Sequence, residues 1–116
     1  MVWQRLQETK VINMYRGSRI RIELENVSDL AEDSSMDFMV FDSLQGDSIG
    51  MSLIRISGYK AGHILVTFPK ESCITGTRSL STQWLKENSE SAFPFGSSIS
   101  SIWITEKKLT AKKHLP

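Results

Sequence analysis

The sequence has few of the residues that cross-link or anchor a small protein: one cysteine, Cys73, and three prolines among 116 residues. A single thiol forms no intramolecular disulfide and no thiolate metal cluster. A chain without disulfides fits a reducing compartment, so we expect a cytoplasmic protein. No apolar run approaches the ~20 residues that span a bilayer, and Glu8 comes too early for a secretory signal peptide. The length fits one domain.

Residues suited to catalysis are also scarce. The two histidines are His63, on a predicted strand, and His114, near the end of the chain. A Cys73–His63 nucleophile pair stays open as an alternative and predicts a small hydrolase with a reactive thiol. A lone histidine on a strand is more often a surface residue, and the scattered glycines match no phosphate-binding loop. We therefore expect no enzyme and no cofactor.

Charge is distributed unevenly along the chain. Residues 20–50 contain eight acidic residues and one basic residue, a net charge of −7, whereas the whole chain carries +1. An acidic surface attracts cationic molecules and repels polyanions. The carboxylates of Asp29, Glu32 and Asp33 lack the alternate spacing and the glycine of a calcium loop, so we expect a solvated acidic loop without metal. The pattern favours a basic protein partner.

Alternation of apolar and polar residues indicates a sheet. Strands are predicted over residues 18–25, 36–41, 51–57, 63–68 and 99–105. The bulky run 36–41 is typical of a central strand with both faces covered, and residues 42–50 are expected to form the turn that follows it. Gly58 and Gly62 bound a hairpin-length connection.

One short amphipathic helix is predicted over residues 79–91, with Ser79 or Ser81 as its N-cap. No crossover helix separates most of the strands. The predicted fold is therefore α+β: a single domain over residues 1–106 with a mainly antiparallel sheet. Residues 107–116 are expected to form a basic, frayed tail.

The basic tail supports an alternative function. Lysine clusters contact nucleic-acid phosphates, so the chain could be a small nucleic-acid-binding regulator. The lysines concerned are Lys107, Lys108, Lys112 and Lys113. Without interleaved aromatic residues, such a tail is more typical of a solubilising end, so nucleic acid is the less favoured partner.

A protein-docking surface is predicted on the outward face of strand 18–25 and the acidic residues after it. Complementary charge raises the association rate, while aromatic anchors supply affinity. The candidate anchors lie in predicted connections and are Tyr15, Tyr59, Phe93 and Phe95. The predicted partner-binding residues are Glu23, Glu25, Asp29, Glu32, Asp33, Asp42, Asp47 and Tyr59.

Three segments resemble small enterobacterial immunity proteins, which are encoded beside polymorphic toxins, including those of contact-dependent growth inhibition. They are residues 15–25 (YRGSRIRIELE), 39–43 (MVFDS) and 79–88 (SLSTQWLKEN). The resemblance covers residues 2 to about 105. It implies a non-enzymatic protein that binds the C-terminal toxin domain of its cognate system in the cytoplasm. Many such toxins are nucleases with basic clefts, which suits an acidic inhibitor surface.

Overall fold

A six-stranded antiparallel sheet and a smaller two-stranded sheet carry most of the chain. The structure is a computed structural model and describes residues 2–25, 35–45, 48–58, 61–74 and 76–105. The strands of the large sheet are β1 (Gln4–Arg5), β3 (Arg19–Leu24), β4 (Ser35–Gln45), β5 (Ser48–Arg55), β6 (Ile64–Thr67) and β8 (Ile99–Thr105). The small sheet pairs β2 (Asn13–Tyr15) with β7 (Ser79–Ser81). The predicted α+β class is confirmed.

The order of strands in the large sheet is β1-β8-β3-β4-β5-β6. The last strand of the chain therefore lies between the first strand and β3. In this register Arg21 of β3 faces Trp103 of β8, and Trp103 faces Arg5 of β1. A register shift between Glu23 and Leu24 marks a bulge where β3 ends, and such irregularities redirect the chain at a sheet margin.

The inward residues of the strands form the core. Ile20 and Ile22 of β3 are fully buried, and they alternate with half-buried Arg19 and Arg21. Alternate side chains of a strand point to opposite faces, so one face of the sheet collects the apolar residues. The core contains Leu6, Met14, Ile20, Ile22, Met36, Phe38, Val40, Met51, Leu53, Val66, Phe68, Leu80, Leu85, Phe93, Ile102 and Ile104.

One α-helix in the described part of the chain, α1 (Thr82–Ala92), packs on this inner side. Its N-cap is Ser81, one of the two serines predicted for this role, and the Ser81 hydroxyl accepts a hydrogen bond from the Trp84 amide at 3.1 Å. Residues 79–81 were predicted to be helical, which is wrong: they form β7. Leu85 buries its side chain in the core, and Trp84 packs edge-on against Phe68 at 5.9 Å between ring centroids. Asn88 leaves helical geometry (φ −123°, ψ 19°), so the last turn is kinked. No helix in the described ranges is long and apolar enough to cross a membrane.

Two expectations about the middle of the chain are wrong. Residues 42–45 and 48–50 are not a turn but the adjoining ends of β4 and β5, which pair as far as Gln45 and Ser48. Strand pairing satisfies the backbone hydrogen-bonding groups of polar residues as well as those of apolar ones. A polar segment can therefore extend a strand, and a prediction from composition alone ends the strand too early. The second error concerns 36–41: Phe38 and Val40 are buried, whereas Met39 and Phe41 remain partly exposed. Only the inner face of β4 is fully covered by described residues.

The predicted hairpin between β5 and β6 is confirmed. Gly58 has φ +78°, and a Cβ atom there would lie 2.7 Å from a guanidinium nitrogen of Arg55. Arg55 is buried, and its Nε donates a hydrogen bond to the Ser57 carbonyl at 2.7 Å. Glycine is therefore required by the positive φ and by the space that the arginine occupies.

Candidate protein-binding surface

The structure describes three of the eight residues predicted to bind a partner: Glu23, Glu25 and Asp42. Of these, Glu25 alone is exposed. The other five lie outside the described residues, as do the tail lysines; the five are Asp29, Glu32, Asp33, Asp47 and Tyr59. The predicted acidic surface therefore has to be judged residue by residue.

Glu23 is an internal hydrogen-bond acceptor and is half-buried. One carboxylate oxygen accepts from the Ser101 hydroxyl and from Trp103 Nε1, the latter at 2.8 Å. Hydrogen bonds to the charged form favour ionisation. Those from Ser101 and then Trp103, with a smaller contribution from Arg21, hold the pKa of Glu23 below its ordinary value. This carboxylate helps to fix β8 against β3.

Arg21 and Asp37 form a bidentate ion pair on the outward face. Arg21 Nε lies 2.7 Å from one Asp37 oxygen, and a terminal guanidinium nitrogen lies 3.0 Å from the other. The hydrogen bond to Asp37 raises the pKa of the Arg21 guanidinium. The same guanidinium stacks over the Trp3 ring at 4.3 Å from the centroid. Planar guanidinium groups suit both contacts at once.

A second stack lies beside the first. Arg5 covers the Trp103 ring at 4.9 Å from the centroid. The register aligns Arg5, Trp103, Arg21 and Asp37 in one row across β1, β8, β3 and β4. Each cation–π contact contributes about 0.5–2 kcal/mol, so the two stacks help to hold the side chains of this row in place.

Apolar side chains continue the same face toward β6. Met39 of β4 is paired with Ile54 of β5, and Ile54 is paired with Ile64 of β6. Ile64 is 56% exposed, and the other two are half-buried. Phe41, two residues after Met39, is also half-buried. We call the surface formed by these four apolar residues and the row from Arg5 to Asp37 the outer sheet face.

Asp42 connects the two sheets rather than facing solvent. Its two carboxylate oxygens lie 3.6 Å from guanidinium nitrogens of Arg16 and Arg78, and its side chain is only 12% exposed. Both arginine side chains are largely exposed, at 72% and 70%. Arg16 follows β2 and Arg78 precedes β7. A charge reversal at Asp42 would therefore disturb the packing of the small sheet.

The structure also changes which aromatic residues are candidate anchors. Phe93 is buried in the core against Phe68, with ring centroids 6.0 Å apart. Tyr15 lies in β2, not in a connection, and is half-buried. The aromatic residues on the outer sheet face are instead Trp3, Trp103 and Phe41. Alternation along residues 99–105 already placed Trp103 opposite Ile102 and Ile104, so that signal was present in the sequence.

The residues considered for catalysis show no assembled site in the described ranges. Cys73 is a free, half-buried cysteine whose Sγ lies 3.9 Å from the Ser72 hydroxyl. His63 is exposed beside the first residue of β6. Within the described ranges no group of three or more histidine, cysteine, aspartate or glutamate side chains could hold a metal ion.

Comparison with models of protein families finds a match over most of the chain. Residues 8–104 match the model of the family Imm45, described as immunity protein 45. No curated protein and no solved structure matches the chain.

Proposed function

This chain belongs to the immunity protein 45 family, and we propose that it binds and neutralises the C-terminal toxin domain of a cognate system in the bacterial cytoplasm. The toxin domain would be a nuclease with a basic cleft. Neutralisation would follow from occlusion of the active site or of the substrate-binding surface, without any reaction by the immunity protein.

The outer sheet face carries this proposal. Tryptophan and arginine dominate the residues that supply binding energy in protein interfaces, and Trp3, Trp103, Arg5 and Arg21 are held there by mutual stacking. Ordered side chains lose little entropy on binding. Six strands at a spacing of about 4.8 Å make a face about 24 Å wide. Together with the residues around its edge, a face of this width has an area that approaches the ~800 Å² per partner of a standard interface.

The acidic residues would steer the encounter. Glu25 is exposed, and Asp29, Glu32 and Asp33 follow it in the sequence before β4 begins at Ser35. Asp47 and Tyr59 belong to the same proposed surface. Glu23 and Asp42 would act indirectly, because their carboxylates are committed to bonds within the protein.

The direct test uses the full chain and the C-terminal domain of the protein encoded immediately upstream of its gene. We expect a one-to-one complex by light scattering and complete loss of toxin activity at equimolar concentration. A toxin domain from an unrelated system is the control and should stay active. An upstream domain that neither binds nor is inhibited would contradict the proposal.

The acidic assignment has its own test. Charge reversal at Glu25, Glu32 and Asp33 leaves the internal bonds of Glu23 and Asp42 intact. We expect the association rate to fall about tenfold or more at low salt, since steering depends on charge. Reversal of the exposed Glu71 and Glu87 is the control and should change the rate little. An unchanged rate in the triple variant would show that these acids lie outside the interface, while neutralisation itself would stand.

A further inference from the structure

β6 is the last strand of the large sheet, and no strand among the described residues pairs with its outer edge. Its partner on the other side is β5. The Phe68 amide donates a hydrogen bond to the Met51 carbonyl of β5 at 2.9 Å. In an antiparallel sheet the backbone groups of successive residues point to opposite sides of the strand. The amide and the carbonyl of the neighbouring Thr67 therefore point away from β5 and present a donor and an acceptor at the edge.

The opposite edge of the same sheet is closed. β1 has only two residues, and the Arg5 carbonyl accepts hydrogen bonds from the amides of Glu8 and Thr9 at 3.1 and 3.0 Å. The turn after β1 thus occupies a backbone acceptor that another strand would need. Short edge strands covered by a loop resist further pairing. The two edges of the sheet therefore differ, and β6 is the one that remains open to a partner strand.

The sequence of β6 favours pairing and contains no charge. Residues 64–67 read Ile-Leu-Val-Thr, and aliphatic and β-branched residues are enriched in strands. Edge strands that avoid association carry lysine or proline within the strand, whereas here Pro69 and Lys70 come only after it. The register shift of β6 against β5 lies between Leu53 and Ile54, so the pairs that involve Val66 and Thr67 stay regular.

An exposed apolar side chain lies at the same edge. Ile64 is 56% exposed, although it is an isoleucine within a strand. It is paired with Ile54, which is half-buried, so the apolar surface continues inward from the edge. Thr67 is exposed as well, and its hydroxyl lies 3.3 Å from that of Ser52. A strand placed along β6 would cover Ile64 and also satisfy the backbone groups of Thr67.

A second copy of this chain fits the edge better than a charged partner does. Two antiparallel strands related by a twofold axis place donors opposite acceptors, so the edge is complementary to itself. Because β6 has no charged residue and the chain carries only +1, two copies bring no like charges together within the strand. A basic partner that is steered by acidic residues finds no opposite charge on β6.

We propose that two copies of this chain associate through their β6 strands, in antiparallel orientation, and form one continuous sheet with six strands from each copy. This association goes beyond the proposed function and does not require the toxin. Four residues at about 3.4 Å each give a contact about 14 Å long, which is at the low end of interface sizes. We therefore expect a dissociation constant on the order of 10–100 μM.

The stacked row on the outer sheet face stays accessible in such a dimer. Trp103 lies on β8 and Arg5 on β1, at the end of the sheet opposite to β6. Three strands, β3, β4 and β5, separate β8 from the pairing edge. Each copy would therefore keep its own row of arginine and tryptophan side chains.

Sedimentation equilibrium of the full chain at about 1–500 μM measures the association. We expect the natural chain to pass from monomer to dimer over this range. Thr67→Lys places like charges at the pairing edge of both copies and should raise the dissociation constant at least about tenfold. Ser91→Lys adds the same charge at an exposed position of α1, away from β6, and should change the constant less than about twofold.

A second pair of variants tests the backbone. Thr67→Pro removes the amide that points away from β5, a position where an edge strand tolerates proline, and it should abolish the dimer. Thr67→Val keeps this amide and loses the same hydroxyl contact with Ser52, so it should still dimerise. Urea unfolding checks that the four variants are folded. If the proline variant is unfolded, the lysine pair alone decides.

Amide hydrogen exchange locates the contact in the natural chain. The Thr67 amide should exchange more slowly at high than at low protein concentration, because the dimer protects it. The Arg5 amide, in the edge strand at the other end of the sheet, is the internal control and should exchange at the same rate at both concentrations.

The outcomes are as follows. A natural chain that stays monomeric over the whole range overturns the proposal. A dimer that persists in folded Thr67→Lys, or that leaves the Thr67 amide unprotected, also overturns it, because another surface then forms the contact. If the chain is monomeric and Thr67→Lys weakens binding to the upstream-encoded toxin domain, β6 receives a strand of the toxin and not a second copy. Loss of the dimer with Thr67→Lys, with Ser91→Lys and Thr67→Val still dimeric, supports the proposal.

Discussion

The two faces of the large sheet are built from alternate residues of the same strands, yet different interactions order them. The inner face is apolar and is covered by α1 and the small sheet, with Phe38 and Ile20 fully buried. The outer face is ordered by ion pairs and by rings stacked under guanidinium groups, as at Arg21. The inner contacts stabilise the fold through burial. The outer contacts stabilise it less, because solvent reaches them, but they hold the side chains that we propose contact the partner.

The largest expected difference between the faces is in the free energy of unfolding. Phe38→Ala removes a fully buried ring from the inner face of β4 and should lower that free energy by about 3–5 kcal/mol. Phe41→Ala, three residues later on the outer face, is the matched control and should cost less than about 1.5 kcal/mol, because its ring is already partly in water. Urea unfolding measures both. Equal losses would show that the outer face is also a covered core.

The next difference concerns binding. Trp3→Ala removes the ring beneath Arg21 and should weaken toxin binding by about 2 kcal/mol, roughly 30-fold. Trp84→Ala removes a ring that packs on Phe68 inside the domain, so it should lower stability and leave the affinity of the folded protein unchanged. Calorimetric titration with the toxin domain distinguishes them. A Trp84 variant that binds as weakly as the Trp3 variant would contradict the division of roles.

The smallest expected effect is a pH dependence within the outer face. The Glu23 pKa is lower in the folded chain than its usual 4.5, so its carboxylate stabilises the fold at neutral pH, and this contribution is lost as pH falls through the lowered pKa. Glu23→Gln should therefore be less stable than the natural chain at pH 7, and the difference should shrink below about pH 4.5. Chemical unfolding at several pH values measures it.

The control for this pH dependence is Glu25→Gln, two residues along the chain and exposed. Its stability relative to the natural chain should vary little with pH. A Glu23 variant whose deficit stays constant down to pH 3 would show that the hydrogen bonds from Ser101 and Trp103 do not depend on the charge.

Local pattern was enough to predict most of the longer elements. Alternation in residues 18–25 gave β3, and the spacing of Leu80, Trp84 and Leu85 gave the helix, although its start was predicted three residues too early. The short strands β1, β2 and β7 have two or three residues each, too few for a periodicity to register. Their positions are decided by partners elsewhere in the chain.

The surface was harder to predict because it depends on distant partners. The sequence pattern predicts that Glu23 is an outward-facing charge. In the structure its carboxylate is engaged by hydrogen-bond donors that lie 78 and 80 residues later in the chain. Net charge therefore supported only a hypothesis about the kind of partner, while the positions of the available carboxylates required the fold.

The place of β8 has a consequence for the order of assembly. β8 lies between β1 and β3. The β1–β8 and β8–β3 pairings therefore cannot form until residues 99–105 have been synthesised. Sheets with such distant pairings close slowly, on a timescale of milliseconds to seconds. Trp103 lies on β8, so the stacked row on the outer face is complete only once β8 is in place. A partly folded chain is thus expected to be unable to recognise its partner, and protection should begin only when the sheet is closed.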